Sequence, residues 1–361
     1  MSRLYNFGAG PAMLPLEVMQ QIQSDLPDWQ GVGCSEMEVS HHSPEFYALA
    51  AKVEQDLREL LNVPANYKIL FLSGGGRSQF AMVPLNLLSD RNTANYLETG
   101  VWSKLALVEA SRYCSVNLVA SSAEQNYLTI PAPSTWVVDE KSAYFYYVDN
   151  ETVNGTEFPE APKVNKDLPL VSDMSSNLLS REFDFAPFGL VFACAQKNIG
   201  IAGLTVVIVR EDLLGREMPI TPTMFNYKVH ADNKSLYNTP PTFPWYVTGL
   251  VLEWVKRQGG VKAMEKLNAR KSEKLYTYID GSGFYNCPVD THYRSRMNVV
   301  FKLADEQLDT EFLAAAKAAG IIGIKGHKLV GGMRASLYNA VPEAAVDALI
   351  AMMQDFAQRY N

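Results

Sequence analysis

Strand-like and helix-like segments alternate along the chain from about residue 65 to residue 210, and this alternation limits the fold more than any other feature. Short apolar runs, rich in β-branched and aromatic residues, predict strands, and the segments between them carry apolar residues at helical spacing. The predicted strands are YKILFLS (67–73), ANYLETG (94–100), AYFYYVDN (143–150), LPLVSD (168–173), GLVFACAQ (189–196) and GLTVVIVR (203–210). Such alternation is typical of βαβ units, so we predict an α/β protein with a mostly parallel sheet covered on both faces.

The last two predicted strands are an exception to the parallel arrangement. About six residues join them, which is too few for a crossover helix. We therefore expect this pair of strands to be antiparallel. Helices are predicted over 79–90, where a proline lies inside the pattern, and over 102–113.

The length of the chain, 361 residues, exceeds what one hydrophobic core usually supports and predicts two domains. A Pro-rich stretch, NTPPTFPWY (238–246), leads into a helix over 246–260 that should stop at its double glycine. A smaller set of strands and helices follows. We assign 16–260 to a large domain and 261–361 to a small C-terminal domain, joined by the N-terminal segment 1–15, with a small-molecule site in the cleft between them.

Charge and cysteine usage exclude several classes of function. The net charge is −7 and no long basic run is present, which disfavours a surface for nucleic acid or anionic membrane. The four cysteines lie far apart without a CxxC pair, so neither a disulfide framework nor a structural zinc site is expected. The N-terminus has no apolar segment of the signal-peptide kind, and no apolar run approaches the ~18 residues of a membrane span. We expect a soluble, cytoplasmic protein without a metal site.

Polar residues and glycines follow several predicted strands, where ligands of parallel sheets gather. SGGGRSQF (73–80) joins a strand to a helix and could hold a phosphate on glycine N–H groups beside Arg77. Asp173 and Lys197 each end a strand, and Trp102 follows another. A desolvated lysine is a nucleophile for a Schiff base, and a carboxylate can pair with a pyridine nitrogen, as pyridoxal phosphate requires. Taken singly, these features fit a plain turn, a helix cap, an anion contact and a core tryptophan; together they favour the cofactor.

The same residues belong to motifs of a known family. The chain resembles the phosphoserine aminotransferases, pyridoxal-phosphate enzymes of fold type I and class V, over essentially its whole length. The motifs that carry the resemblance are NFGAGPAMLP (6–15), MEVSH (37–41), SGGGRSQF (73–80), DMSS (173–176), AQKNIGIAGLTVVIVREDLLG (195–215), NTPPTF (238–243), RSRMNV (294–299) and GHKLVGGMRASLYNA (326–340). The resemblance implies the fold-type-I transferase fold, with pyridoxal 5'-phosphate as cofactor.

The resemblance also implies a role for individual residues at the cofactor. Lys197 would hold it covalently, Asp173 would pair with its ring nitrogen, Trp102 would stack on its ring, and Thr152 would bond the ring hydroxyl. The residues implied to hold the phosphate are Gly76, Arg77, Gln196, Asn238 and Thr239. In the family the last two come from the other subunit, which implies a homodimer with shared active sites.

The reaction implied is transfer of the amino group of glutamate to 3-phosphohydroxypyruvate, giving phosphoserine and 2-oxoglutarate in serine biosynthesis. Bacterial members also serve the phosphorylated four-carbon step of pyridoxine biosynthesis. Lys197 would move the proton between Cα and the cofactor carbon.

Substrate contacts follow from the same resemblance. Arg334 would take the α-carboxylate in a bidentate fork, and Ala9 would contribute its backbone. His41 and His327 would face the distal phosphate or γ-carboxylate. One position departs from the family pattern: His42 stands where an arginine is common, which predicts weaker or more pH-dependent binding of the phosphorylated substrate.

Two other functions remain as alternatives. A cysteine desulfurase-like lyase would need a mobile reactive cysteine late in the chain, and the segment around Cys287, GFYNCPVD, is unlike such a loop. A non-catalytic phosphate-binding protein would use Lys197 as a simple anion contact. The absorption spectrum of the purified protein distinguishes a pyridoxal-phosphate enzyme from the second alternative.

Overall fold

The computed structural model describes residues 3–360, and the elements in this range follow the predicted alternation of strands and helices. The helices are α1 (Leu16–Asp25), α2 (Pro44–Leu61), α3 (Gly76–Leu87), α4 (Val101–Ala110), α5 (Tyr227–Asp232), α6 (Thr242–Arg257), α7 (Gly260–Gly281), α8 (Asp309–Ala318) and α9 (Glu343–Tyr360). The strands are β1 (Tyr5–Asn6), β2 (Tyr67–Gly74), β3 (Thr93–Glu98), β4 (Ser115–Ser121), β5 (Phe145–Val148), β6 (Asn150–Glu151), β7 (Thr156–Glu157), β8 (Leu170–Asp173), β9 (Phe188–Cys194), β10 (Gly203–Arg210), β11 (Tyr285–Asn286), β12 (Asn298–Leu303), β13 (Ile321–Ile322) and β14 (Met333–Ser336).

The central sheet has the strand order β2-β10-β9-β8-β5-β3-β4. Neighbours from β9 to β4 are parallel, whereas β10 runs antiparallel to both β9 and β2. The predictions of a mostly parallel sheet and of an antiparallel last pair are therefore confirmed. Because β2, β5, β8 and β9 point the same way, their carboxyl ends meet at one edge of the sheet.

Alternating side chains of the central strands pack into two separate cores, one on each face of the sheet. In β2, Ile69 and Phe71 belong to the core that α2 and α6 cover. Leu70 and Leu72 belong to the core under α3 and α4. Strands buried on both faces read as continuous apolar runs, and this is why the sequence pattern identified them.

The C-terminal part of the chain forms a further core of its own. Strands β11, β12 and β14 make an antiparallel sheet against α7, α8 and α9. The N-terminal segment joins this core: β1 pairs with β13, and Phe7 is buried among its side chains. The double glycine lies where α6 gives way to α7, and Gly259 has a positive φ of 99°, which glycine adopts without strain.

In the region of the central sheet, the sequence analysis missed one strand, β4, and extended another beyond its end. Strand β4 is at the sheet edge and has only Val119 fully buried, so its apolar pattern is weak. The predicted strand over 143–150 is interrupted at Asp149, after which β6 leaves the central sheet and pairs with β7. This hairpin carries residues of the candidate site.

Buried hydrogen bonds connect the central-sheet part of the molecule to the C-terminal part. Asn150 Nδ2 donates to Asn298 Oδ1 at 2.8 Å, and Ser295 Oγ donates to Asn150 Oδ1 at 2.6 Å. Near Lys197, the backbone N–H of Asn339 donates to Asn198 Oδ1 at 3.0 Å. These bonds fix the position of the C-terminal part against the carboxyl ends of the sheet.

Between residues 3 and 360, no helix has the length and apolar character to cross a membrane. Within the same residues, no group of three or more His, Cys, Asp or Glu side chains could hold a metal ion. The four cysteines are free thiols.

Candidate active site

A cavity of ≈ 540 Å³ lies at the carboxyl ends of the parallel strands, between the two parts of the molecule. Ten of the residues predicted for the site line it: Ala9, Gly76, Arg77, Trp102, Thr152, Asp173, Gln196, Lys197, His327 and Arg334. A larger cavity, of ≈ 880 Å³, lies between α1, α2 and α6, and none of the predicted site residues lines it.

Lys197 and Asp173 face this cavity from neighbouring strands of the sheet. Asp173 is the last residue of β8 and is 6 % exposed; its Oδ1 accepts the N–H of Ser175 at 2.8 Å. Burial raises the pKa of Asp173, and the charge of Lys197 partly offsets this effect. Lys197 follows β9 in the turn that leads to β10 and is half-buried. A nucleophilic amine and a carboxylate thus share one wall.

The glycine turn after β2 forms another wall and opens α3. The N-cap residue, Gly75, has no side chain to cap the helix, so no N-cap side chain competes with an anion for the first N–H groups of α3. Of these groups, the N–H of Ser78 donates to the Gly75 carbonyl at 3.0 Å. Gly74 has a φ of +110°, and a Cβ there would lie 2.6 Å from Ser78 Oγ. Arg77 is exposed at the rim. The N–H of Gly76 donates to Cys194 Sγ at 2.8 Å, so a thiol holds one of the predicted phosphate donors.

Trp102, Thr152 and Arg334 are linked by hydrogen bonds across the cavity. Trp102 Nε1 donates to Thr152 Oγ1 at 2.9 Å, which leaves the hydroxyl proton of Thr152 free to donate elsewhere. Arg334 Nη1 donates to the Thr152 carbonyl at 2.9 Å. Arg334 Nε is buried without a hydrogen-bond partner, and burial lowers the pKa of Arg334. A guanidinium with an unused donor in a cavity wall fits a carboxylate ligand.

His327 lies near Arg334 in the same cavity. It is half-buried, and its Nδ1 accepts the N–H of Leu329 at 3.3 Å. Burial and the positive charge of Arg334 both lower the pKa of His327. The cavity wall therefore carries cationic or donor groups on the sides away from Asp173, which suits a substrate with more than one negative charge.

Four predicted site residues lie outside the cavity of their own chain. His41 and His42 contact each other, with ring centroids 3.9 Å apart, and His42 Nδ1 lies 3.3 Å from the hydroxyl oxygen of Tyr47. Burial and the neighbouring His42 lower the pKa of His41. Asn238 and Thr239 are exposed in the loop before α6.

Sequence reasoning did not identify Cys194, which lines the cavity, or Glu151, which lies beside it. Cys194 ends β9 and lines the cavity, a position that the strand-end rule used for Asp173 could have identified. Glu151 lies directly before Thr152 and is 1 % exposed. No periodicity signals a buried carboxylate in this two-residue strand.

The residues present fit pyridoxal 5'-phosphate. The cavity offers a lysine, a buried carboxylate, an indole with a hydroxyl beside it and the open N-terminus of α3. Arg334 Nε, buried without a partner, leaves a donor for a carboxylate on the bound substrate. These are the groups that such a cofactor and an amino-acid substrate require.

The model of the class V aminotransferase family matches residues 4–349 of the chain. A curated phosphoserine aminotransferase of Coxiella burnetii is 55% identical over 362 residues, covering 100% of both chains. A solved phosphoserine aminotransferase from Bacillus circulans subsp. alkalophilus superimposes with a TM-score of 0.97 at 44% identity and covers 99% of each chain. A pyridoxal-phosphate-bound phosphoserine aminotransferase from Trichomonas vaginalis superimposes with a TM-score of 0.94 at 41% identity, covering 98% of this chain and 100% of the other.

Proposed function

The chain belongs to the phosphoserine aminotransferases of the class V aminotransferase family, and from that premise we propose which residues carry the reaction. The reaction transfers the amino group of L-glutamate to 3-phosphohydroxypyruvate and yields O-phospho-L-serine and 2-oxoglutarate. Pyridoxal 5'-phosphate is the cofactor and, when bound, serves as the electron sink that labilises the Cα–H bond of the amino acid. Binding, orientation and proton transfer are left to side-chain and backbone groups of the protein.

One observation carries the assignment of roles: Lys197 and Asp173 share a cavity that has anion-binding groups on two sides. The N-terminus of α3 would hold the phosphate of the cofactor, with Arg77 and Gln196 beside it. Arg334 would hold the α-carboxylate of the substrate. These contacts would hold the cofactor and the substrate in the cavity that Lys197 lines.

We assign the proton transfer to Lys197. Its amine would take the proton from the substrate Cα and deliver it to the cofactor carbon. Proton transfer by a positioned base typically accelerates a reaction ~10²–10⁴-fold. The charge of Lys197 already offsets part of the burial effect on Asp173. A protonated ring nitrogen next to Asp173 would stabilise the carboxylate in the same way.

Thr152 and Trp102 would orient the ring. The Thr152 hydroxyl accepts from Trp102 Nε1 and therefore can donate its own proton to the ring hydroxyl. Trp102 would stack on the ring face, and the hydrogen bond to Thr152 fixes the rotation of the indole.

We also propose that a second subunit completes the site with Asn238, Thr239, His41 and His42. The turn over Glu36–Glu38, which precedes His41 and His42, packs against α6, which follows Asn238 and Thr239. The two pairs of residues therefore lie in one region of the surface. Large apolar side chains are exposed in this region: Met37 (54%), Tyr47 (47%) and Tyr237 (48%). Burying them in a homodimer would remove apolar area from water.

The division into residues 16–260 and 261–361 is kept as part of the proposal, with one refinement. Phe7 and Met13 pack in the C-terminal core, whereas Val261 and Met264 at the start of α7 pack with the central-sheet part. Within the N-terminal segment, Phe7 and Met13 thus pack with the C-terminal core, whereas Leu14 packs against the cluster around α6. Activity on the phosphorylated four-carbon substrate of pyridoxine biosynthesis and a cytoplasmic location complete the proposal.

A titration of single half-reactions tests the function. Purified protein is mixed separately with L-glutamate, O-phospho-L-serine and L-alanine, and the visible absorption of the bound cofactor is followed. We expect the first two to bleach the absorption and alanine to leave it unchanged over the same concentrations. A colourless protein would favour a phosphate-binding protein, and release of sulfide from L-cysteine would favour a desulfurase.

A further inference from the structure

We propose that Glu151 is a positioning residue for the cofactor site, whose carboxylate holds Trp102 in place by capping α4. This inference rests on the stacking role proposed for Trp102. Neither the family motifs nor the sequence pattern assigns a role to Glu151.

The carboxylate of Glu151 binds the first turn of α4 with both oxygens. Oε2 accepts the backbone N–H of Trp102 at 2.9 Å, and Oε1 accepts the backbone N–H of Ser103 at 2.7 Å. Helices leave their first N–H groups without internal partners, and a residue at the N-cap normally supplies an acceptor. At α4 the N-cap is Gly100, which has no side chain, so Glu151 supplies both acceptors from another strand.

Gly100 is needed to make room for this contact. Its φ of 176° is extended backbone that any residue adopts, so conformation does not require glycine here. A Cβ at Gly100 would lie 2.6 Å from Glu151 Oε2, well inside van der Waals contact. The chain therefore leaves out a side chain at the cap, and the carboxylate of Glu151 occupies that space.

Thr152, the next residue, holds the other end of Trp102. Its hydroxyl accepts the indole N–H at 2.9 Å, and its carbonyl accepts Arg334 Nη1 at 2.9 Å. Two consecutive residues thus fix the main chain and the ring of Trp102, and they connect it to the proposed carboxylate site. Trp102 is thus held at its main chain and at its ring where it lines the cavity.

The environment makes Glu151 an unfavourable residue unless it has such a role. It is 1 % exposed, no lysine or arginine between residues 3 and 360 forms an ion pair with it, and the charge of Asp173 lies nearby. Burial, with Asp173 adding a smaller effect, raises the pKa of Glu151 to about 7, and the N–H groups of Trp102 and Ser103 lower it. Buried carboxylates without a cation are rare because ionisation there is costly. The presence of the Glu151 carboxylate against the first turn of α4 indicates that the position of this turn, and of Trp102 within it, matters for the site.

The test measures cofactor affinity in a double-mutant cycle of E151Q and W102A. Apoenzyme of each variant is titrated with pyridoxal 5'-phosphate, and the dissociation constant is read from quenching of protein fluorescence and from the circular dichroism of the bound cofactor. The matched control is E157Q: Glu157 is also buried (4 % exposed) on the paired strand β7, and its carboxylate binds Arg296 instead of the first turn of α4.

We expect W102A to weaken cofactor binding, and E151Q to weaken it about tenfold, in line with the loss of a helix cap. In the W102A background E151Q should change the dissociation constant less than about twofold, because the effects of substitutions at two coupled residues do not add. E157Q should leave the dissociation constant unchanged. G100A, which displaces the same carboxylate, should reproduce E151Q and serves if E151Q does not fold.

Equal cofactor affinity in E151Q, G100A and the unaltered protein would overturn the positioning role. So would an E151Q effect of the same size with and without Trp102, which would indicate a general structural contribution. If W102A alone leaves cofactor affinity unchanged, the proposed stacking of Trp102 is wrong, and that result is distinct from a failure at Glu151.

Discussion

At the scale of single residues, the site is built from groups whose burial opposes their charged form. Asp173 and Arg334 both lie in the cavity wall, where burial raises the pKa of the acid and lowers that of the guanidinium. Such opposed shifts are characteristic of functional sites, since a fold has no structural reason to desolvate charges that it does not pair. The bound cofactor and substrate would supply the missing partners.

Replacing Asp173 with asparagine separates the contribution of this residue to the reaction rate from its contribution to the stability of the fold. Because burial raises the pKa of Asp173, the folded apoprotein holds this proton more tightly than the unfolded chain, so the ionised form lowers stability at neutral pH. D173N should therefore leave the apoprotein's melting temperature unchanged or higher at pH 7. Its transamination rate should fall on the order of 10- to 10²-fold, since a hydrogen bond to a charged group contributes ~1.5–3 kcal/mol. A large loss of melting temperature would contradict this account.

Replacing His42 with arginine tests the departure from the family pattern. A guanidinium stays charged and offers five donors, whereas a neutral imidazole offers one. H42R should lower the Michaelis constant for 3-phosphohydroxypyruvate several-fold and should change the value for glutamate less. Equal Michaelis constants for the two proteins would rule out a role of His42 in binding the phosphate.

At the scale of secondary-structure elements, a buried lysine ties α7 to the segment that follows β14. Lys271 Nζ donates to the carbonyls of Leu337, Tyr338 and Val341 at 2.9, 2.9 and 3.0 Å. Burial lowers the pKa of Lys271, and each proton of its ammonium has an acceptor. Because β14 carries Arg334, this clamp helps to fix the proposed carboxylate site.

Lys271→Met should destabilise the protein by several kcal/mol, since each buried carbonyl left without its donor costs ~1–3 kcal/mol. The matched control is Lys274→Met one turn along the same helix, where the lysine pairs with Glu343 and Asp347 at the surface. That change should cost less than ~1 kcal/mol. Urea unfolding of the unaltered protein and the two variants measures both losses of unfolding free energy. Equal losses in the two variants would show that Lys271 contributes no more than a surface lysine.

How far the sequence predicts the elements depends on their burial. Strands β2, β9 and β10 are buried on both faces, and their apolar runs located them within a residue or two. Strand β4 was missed because an edge strand needs few apolar side chains. Glu151 was missed for another reason: its contacts with Trp102 and Ser103 join segments far apart in the chain, which local patterns do not encode. Cys194 ends β9, so the strand-end rule could have identified it.

At the scale of the whole molecule, the two parts of the chain are joined by buried polar contacts, and the site lies at that joint. Asn150, Asn298 and Ser295 form one chain of hydrogen bonds, and Asn198 with Asn339 forms another next to Lys197. Fully paired polar groups of this kind favour one fixed arrangement. The proposed second subunit would complete the site from outside this joint.

Mixing two inactive variants tests whether subunits share sites. One carries Lys197→Ala and the other carries Asn238→Ala with Thr239→Ala. After co-refolding or co-expression, random pairing gives half mixed dimers, each with one intact site of two, so activity should recover to about a quarter of the unaltered enzyme. Activity no greater than the mean of the separate variants would show that each chain builds its own site.

The central claim is that Lys197 holds the cofactor covalently, and peptide mass analysis of the reduced protein tests it directly. Borohydride treatment of the yellow protein fixes the cofactor to the amine that carries it, and a digest then locates the added mass. The account predicts one modified lysine, Lys197, and loss of the modification when L-glutamate is added before reduction. An unmodified Lys197, or the added mass on any other lysine, would contradict it.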